Sequence, residues 1–240
     1  MVWSDLNAQV QSGLDDVAPL VDSNYVATLC DSSLTSMRQG FARDQLKYAD
    51  LALQLADSLQ LDDLQARAMI LRAYGLHNTF RYEDAIQAYQ SHADLQSSRH
   101  AEYDTFYLNL NLAKCHAHLG ATDVAITYFD NAYLFIDQSN NDNVFEYYFS
   151  LAFFFHQQKL YGRALDFRRK LYQFALASED SMSILKSYNS LGFGFNANGE
   201  NDSAIFYLKE AVTYAEDLEH QYQDLIVTWP PSRRYWYPRL

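Results

Sequence analysis

The chain has 240 residues, 49% of them hydrophobic and 15% aromatic, which is too much apolar material for a disordered segment and enough for one large domain or an extended array. A net charge of −12 and a pI near 4.8 argue against a nucleic-acid module, since phosphate neutralisation needs a basic face. Four Pro and eight Gly are few for this length, which favours helix over an all-β design with its frequent turns.

The N-terminus, MVWSDLNAQV, has no basic stretch leading into an apolar one, so no signal peptide is visible. Apolar residues Leu6, Val10, Leu14 and Val17 predict a short amphipathic helix over 4–17, ended by Pro19. Residues 1–19 are therefore expected to cap the open end of the first repeat. The longest near-apolar run, Tyr147–Phe155, is too short for a bilayer, so no membrane partner is expected. Cys30 and Cys115 show no metal or redox spacing and suit reduced thiols in a cytoplasm.

From residue 20 to 228 one phrase recurs. A small residue opens YEDAIQAY at Ala85, TDVAITYF at Ala125, YGRALDFR at Ala164 and NDSAIFYL at Ala204, and a divergent copy has Gln45 in ARDQLKYADLALQLA. The steps are 40, 40, 39 and 40 residues, and a fixed period in this range means stacked supersecondary units. Each period holds two stretches of helical periodicity. In the third copy these run from about Tyr103 to Leu119 and from Thr122 to Ile136, broken by Gly120. Asp44, Asp84, Asp123 and Asp202 precede or open the second stretches and can serve the free N–H groups there. A single hairpin cannot bury both faces, so neighbours must stack.

These residues resemble the tetratricopeptide repeat (TPR) family. The fifth copy matches its pattern with Leu191, Gly192, Phe195, Gly199, Ala204 and Ala211. The third matches with Leu112, Ala113, Gly120, Ala125, Phe129 and Ala132, with His116 replacing an aromatic. The fourth has Leu151, Ala152, Phe155, Tyr161 and Ala164, with Lys159 at the turn Gly; the second keeps Ala73, Tyr82, Ala85 and Tyr89. The first is weakest, with Ser32 and Ser33 at the Leu-small pair. The resemblance implies an all-α, right-handed superhelical solenoid of about five hairpins. The period exceeds the family's usual length of about 34, as in long-repeat bacterial signalling proteins.

It also implies that the first helix of each hairpin lines a concave groove, and so selects Arg67, Ile70, Tyr74 and His77; Tyr107, Leu110, Lys114 and Ala117; Glu146, Phe149, Phe153 and His156; and Lys186, Asn189, Phe193 and Asn196. Aromatics there offer rigid contact area, and Arg67, Lys114 and Lys186 suit a carboxylate or an acidic peptide. The alternative for these side chains is inter-repeat core and solvated charge. The carboxylate clamp of chaperone-binding TPRs is not filled, although Asn111 and Lys114 stand at suitable places. The implied function is non-catalytic recognition of a peptide or protein segment, in a sensory or regulatory role. The alternative is a scaffold or oligomerisation module working through the convex face or the C-terminal repeat end.

No catalytic motif, cofactor loop or metal set is expected. His116 and His118 point about 200° apart on a helix and cannot chelate together. GFGFNANG (192–199) lies inside a first-helix pattern rather than a phosphate loop. Arg163, Arg168, Arg169 and Lys170 read as a solvated basic face on a second helix. An incomplete sixth repeat starts near Gln221 and stops at Pro230–Pro231, and its apolar residues Leu225, Ile226, Val227 and Trp229 offer a homodimer contact. The tail 229–240, WPPSRRYWYPRL, stays open between a disordered end, a peptide folded back on the acidic surface, and a junction foreign to the repeats.

Overall fold

A computed structural model describes residues 22–98, 105–136 and 141–221. The expected N-terminal cap over 4–17, the C-terminal contact at Leu225–Trp229 and the tail lie outside the described residues. Ten helices and no strand occur among those described: α1 Ser23–Gln39, α2 Ala42–Ser58, α3 Asp62–Asn78, α4 Tyr82–Ser98, α5 Thr105–His118, α6 Thr122–Leu134, α7 Asn141–Gln157, α8 Tyr161–Ser178, α9 Ser181–Ala197 and α10 Asn201–Gln221. The class is all-α, a helical-repeat solenoid of five hairpins. The odd-numbered helices are the first members and the even-numbered helices the second. They fall into two compact units, α1–α4 and α5–α10.

The turn inside each hairpin is built the same way. Gly40, Phe80, Gly120, Lys159 and Gly199, five residues before each opening small residue, all have positive φ, from 59° to 85°. The N–H of each such residue, and of the one after it, returns to a carbonyl of the preceding helix: Gly120 to Ala117 at 3.1 Å and Ala121 to His116 at 2.9 Å, for example. That left-handed stop satisfies carbonyls which a helix end leaves orphaned. The Asp residues expected as caps sit inside the first turn instead. The cap positions of α2, α6 and α8 are Phe41, Ala121 and Leu160, without a side-chain bond. Asp44, Asp84, Asp123 and Asp202 therefore act through the helix dipole. True side-chain caps start α1 and α9, where Asp22 accepts from Tyr25 N at 2.9 Å and Asp180 from Ser183 N at 2.7 Å.

The small residues form the seams of both units. Ala85 and Ala125 are fully buried, as is Gln45 in the divergent copy. Gln45 is tolerated because Asn78 Nδ2 donates to its Oε1 at 2.9 Å and Ser33 Oγ donates to its carbonyl at 2.9 Å. The buried Ser33 therefore keeps the first copy in phase. In the first unit Val26, Leu29, Cys30, Ala49, Ala52, Leu55 and Leu71 form one core. In the second, Phe106, Leu110, Phe129, Tyr147, Leu151 and Phe154 form another.

Candidate functional site

In the first unit α3 packs on both α1 and α2, which places its residues against the preceding repeat. Arg67 reaches Asp31 of α1 at 2.6 Å, an exposed pair worth about 0–1 kcal/mol, so this cation already has an acid beside it. The half-buried Tyr74 meets the buried Tyr89 ring edge-on at 5.9 Å, and His77 meets Tyr82 at 5.6 Å. Ile70 is half-buried.

In the second unit α5, α7 and α9 carry the selected residues. Leu110 is fully buried, a core member rather than a groove contact, because its side chain packs among Phe106, Phe129 and Tyr147. Ala117 is buried likewise. Lys114 Nζ pairs with Glu146 Oε1 at 2.6 Å, again joining two neighbouring first helices. Tyr107 is half-buried, with its ring 5.0 Å from Phe106. Phe149 stacks on Phe145 at 6.3 Å, and Lys186 Nζ lies 5.7 Å from the Phe145 centroid. Phe153, Phe193 and Asn189 are half-buried and Asn196 is exposed. His156 joins α7 to α9, with ring distances of 4.8 Å to Phe193 and 5.2 Å to Tyr161.

Two further residues enter this surface that periodicity did not select. His118 sits 5.8 Å from Phe153 and its Nδ1 is 3.3 Å from Gln157 Nε2. Arg168 departs most from the solvated face expected of it, being only 5% exposed. It leaves α8, passes Gly194 of α9, donates from Nη1 to Ser190 O at 2.9 Å and Oγ at 3.0 Å, and lies 4.9 Å from the Phe193 ring. The sequence signal was present in Gly194. A Cβ there would overlap Arg168 Cδ, so that glycine marks where a long side chain crosses a helix. Arg163, Arg169 and Lys170 are exposed and lie over Phe155, Phe195 and Phe167. His116 stacks on Tyr128 at 5.3 Å.

The electrostatics follow from this packing. Burial lowers the pKa of His156, and the Arg168 charge lowers it further. Burial does the same to His118, with Lys114 adding to it. Both rings are thus held neutral near pH 7. Burial pushes the Cys115 thiol up to about 12 and raises Cys30, which makes both poor nucleophiles. Among the described residues no three His, Cys, Asp or Glu gather as a metal set, and no helix is long and apolar enough to cross a membrane.

No family model and no curated protein matches the sequence. Solved structures do. PlcR from Bacillus thuringiensis, in complex with the peptide PapR7 and DNA, aligns with a TM-score of 0.62 at 15% identity over 87% of this chain and 77% of that one. A Rap protein complexed with Competence and Sporulation Factor gives 0.59 at 17% identity over 85% and 67%. The nearly identical TPR-like repeats of a Podosopora anserina kinesin light chain give 0.59 at 11% identity over 81% and 96%. At these identities the likeness is one of fold.

Proposed function

We propose, from the premise that this is a TPR-type helical-repeat protein, that it is a non-catalytic receptor for a peptide or protein segment, serving a sensory or regulatory role in the cytoplasm. The observation that carries this reading is the α7–α9 surface of the second unit. Half-buried Phe149, Phe153 and Phe193 stand there beside Lys186, Asn189 and the exposed Asn196. Partly covered rings with amides and a cation at their margin suit a segment that buries an apolar anchor and presents an acid. Burying one such anchor contributes about 1.5–3 kcal/mol, whereas a rim charge contributes about 0.2–1 kcal/mol and mainly selects partners. The PlcR structure, solved with a peptide on a related fold, lends support by analogy alone.

The test is selection from a displayed random peptide library, with Phe153→Ala and Lys186→Gln as comparison proteins. Enriched peptides are expected to place an acid near an aromatic or aliphatic residue. Their affinity is expected to fall about tenfold, or about 1.4 kcal/mol, with Phe153→Ala. Absence of enrichment, or equal binding to all three proteins, would remove the proposal.

A further inference from the structure

Each hairpin turns on a left-handed residue, and in the fifth that residue is Gly199, with φ of 85°. The residue before it differs from hairpin to hairpin: Gln39, Thr79, Leu119, Gln158 and, in the fifth, Asn198. This is the one place in the sequence where asparagine precedes glycine. Both residues are exposed at the end of α9. Glycine stands there because a left-handed stop is strained for a residue with a Cβ. The same missing Cβ leaves its main-chain nitrogen the least hindered nucleophile a peptide bond can offer, and Asn198 sets a side-chain amide one residue away. Gln39 also precedes a glycine, but its longer side chain would have to close a six-membered ring, which forms far more slowly.

The folded turn holds the two groups apart. Closing a five-membered ring brings the Gly199 nitrogen to Cγ of Asn198, on the side-chain side of the Asn198 Cα. With ψ of −2°, Asn198 instead places that nitrogen over its own. The Gly199 N–H donates to the Asn196 carbonyl and the Asn198 N–H to the Gly194 carbonyl, each at 3.1 Å, while the Glu200 N–H reaches the Phe195 carbonyl at 2.9 Å. The side chain is tied as well, since Asn198 Nδ2 donates to Glu200 Oε1 at 2.7 Å. These bonds lie at a helix end, where local opening costs least.

We infer that Asn198 is a self-modifying position, released when the α9–α10 turn opens: the Gly199 nitrogen displaces the Asn198 side-chain amide, and water then converts residue 198 to aspartate or isoaspartate. The Gly199 nitrogen gives its proton to solvent as it bonds to Cγ. The Cγ–Nδ2 bond breaks, and Nδ2 leaves as ammonia after taking up a proton. Water opens the resulting cyclic imide at either carbonyl, with no oxidant or reductant involved. Either product loses the Nδ2 donor that Glu200 holds and sets a carboxylate near Glu200 at the negative end of the α9 dipole. Isoaspartate also adds a methylene to the main chain, which puts the Gly199 and Glu200 bonds out of register. The conversion is a one-way loosening of the α9–α10 hairpin with the age of the molecule. It stands apart from the peptide reading, because residue 198 converts whether or not a segment binds.

The test incubates the full chain near neutral pH, native or in guanidinium chloride, and follows a gain of about 1 Da, located by peptide mapping with mass spectrometry. Conversion at residue 198 is expected in both samples, on the order of tenfold slower in the native chain. Asn198→Gln is expected to abolish it and to fold, since Gln39 and Gln158 hold the same place in two other turns. Glu200→Ala is expected to speed conversion in the native chain alone, by freeing the amide. No product at residue 198 of the native chain, once the denatured chain has converted fully, would overturn the inference. An equal gain of mass in Asn198→Gln would do the same. Equal rates in the native and denatured chains, or a native rate that Glu200→Ala leaves unchanged, would remove the turn as the gate.

Discussion

Arg168 Nη1 donates to the Ser190 carbonyl at 2.9 Å, from a side chain 5% exposed, over the stretch of α9 where Gly194 leaves it room. Arg168→Leu keeps much of the apolar stem and removes the charge beside His156. The His156 pKa is then expected to rise, though not to its ordinary value, because burial is the larger cause of its depression. Proton NMR titration of the imidazole measures this. An unmoved pKa would mean that the guanidinium charge does not reach the ring.

Gly75 fits against main chain rather than side chain. A Cβ there would stand 2.9 Å from Leu46 Cα, and backbone cannot rotate away. Gly75→Ala gains about 1 kcal/mol in helix propensity, but overpacking costs about 1–3 kcal/mol. A net loss of stability is expected in urea unfolding. A net gain would show that α2 and α3 part without cost.

Lys159 and Phe80 hold left-handed turns that Gly40, Gly120 and Gly199 hold elsewhere, with φ of 59° and 63°. Lys159→Gly and Phe80→Gly are each expected to stabilise by about 0.5–1 kcal/mol, since the relief of αL strain exceeds the entropy cost of glycine. Phe80 is 68% exposed, so little packing is lost with it. Thermal unfolding of the two single variants decides this, and a drop in Tm for both would count against the turn assignment.

Acid is expected to weaken the fold in two stages. Burial lowers the pKa of His92, His116, His118 and His156, so the folded chain binds fewer protons than the unfolded one. Their contribution is complete above the ordinary histidine value of about 6.5 and is lost as pH falls through the lower folded values. Asp180, held low by the hydrogen bonds from Ser183, acts in the carboxylate range below that. The urea midpoint is therefore expected to fall from about pH 7.5 to 5.5, and again below about pH 4. Asp180→Ala should cost about 1 kcal/mol at neutral pH and remove part of the second fall. A midpoint independent of pH between about 7.5 and 5.5 would contradict the histidine burial.

Both cysteines should be silent towards Ellman's reagent in the native protein and should react together on unfolding in urea. Burial pushes the Cys115 thiol up to about 12 and raises Cys30, so neither reacts before its core opens. Fast labelling of either thiol under native conditions would show that its core opens.

The sequence by itself determined the repeat. The 39–40-residue spacing, the buried small residues from Ala85 to Ala204 and the turn positions from Gly40 to Gly199 are local or periodic properties, so one register reads them all. The candidate surface was legible only as a row of positions on the first helices. Which of them stay available was decided by tertiary structure. Arg67 meets Asp31 36 residues away, Lys114 meets Glu146 32 away, and Arg168 meets Ser190 22 away. A long side chain commits its charge to whatever the neighbouring repeat presents, and helical periodicity carries no information about that neighbour. Leu110 went into the core for the same reason, because aromatic rings from α6 and α7 close over it. Period fixes which face a residue occupies, and packing against the next repeat fixes whether that face remains open.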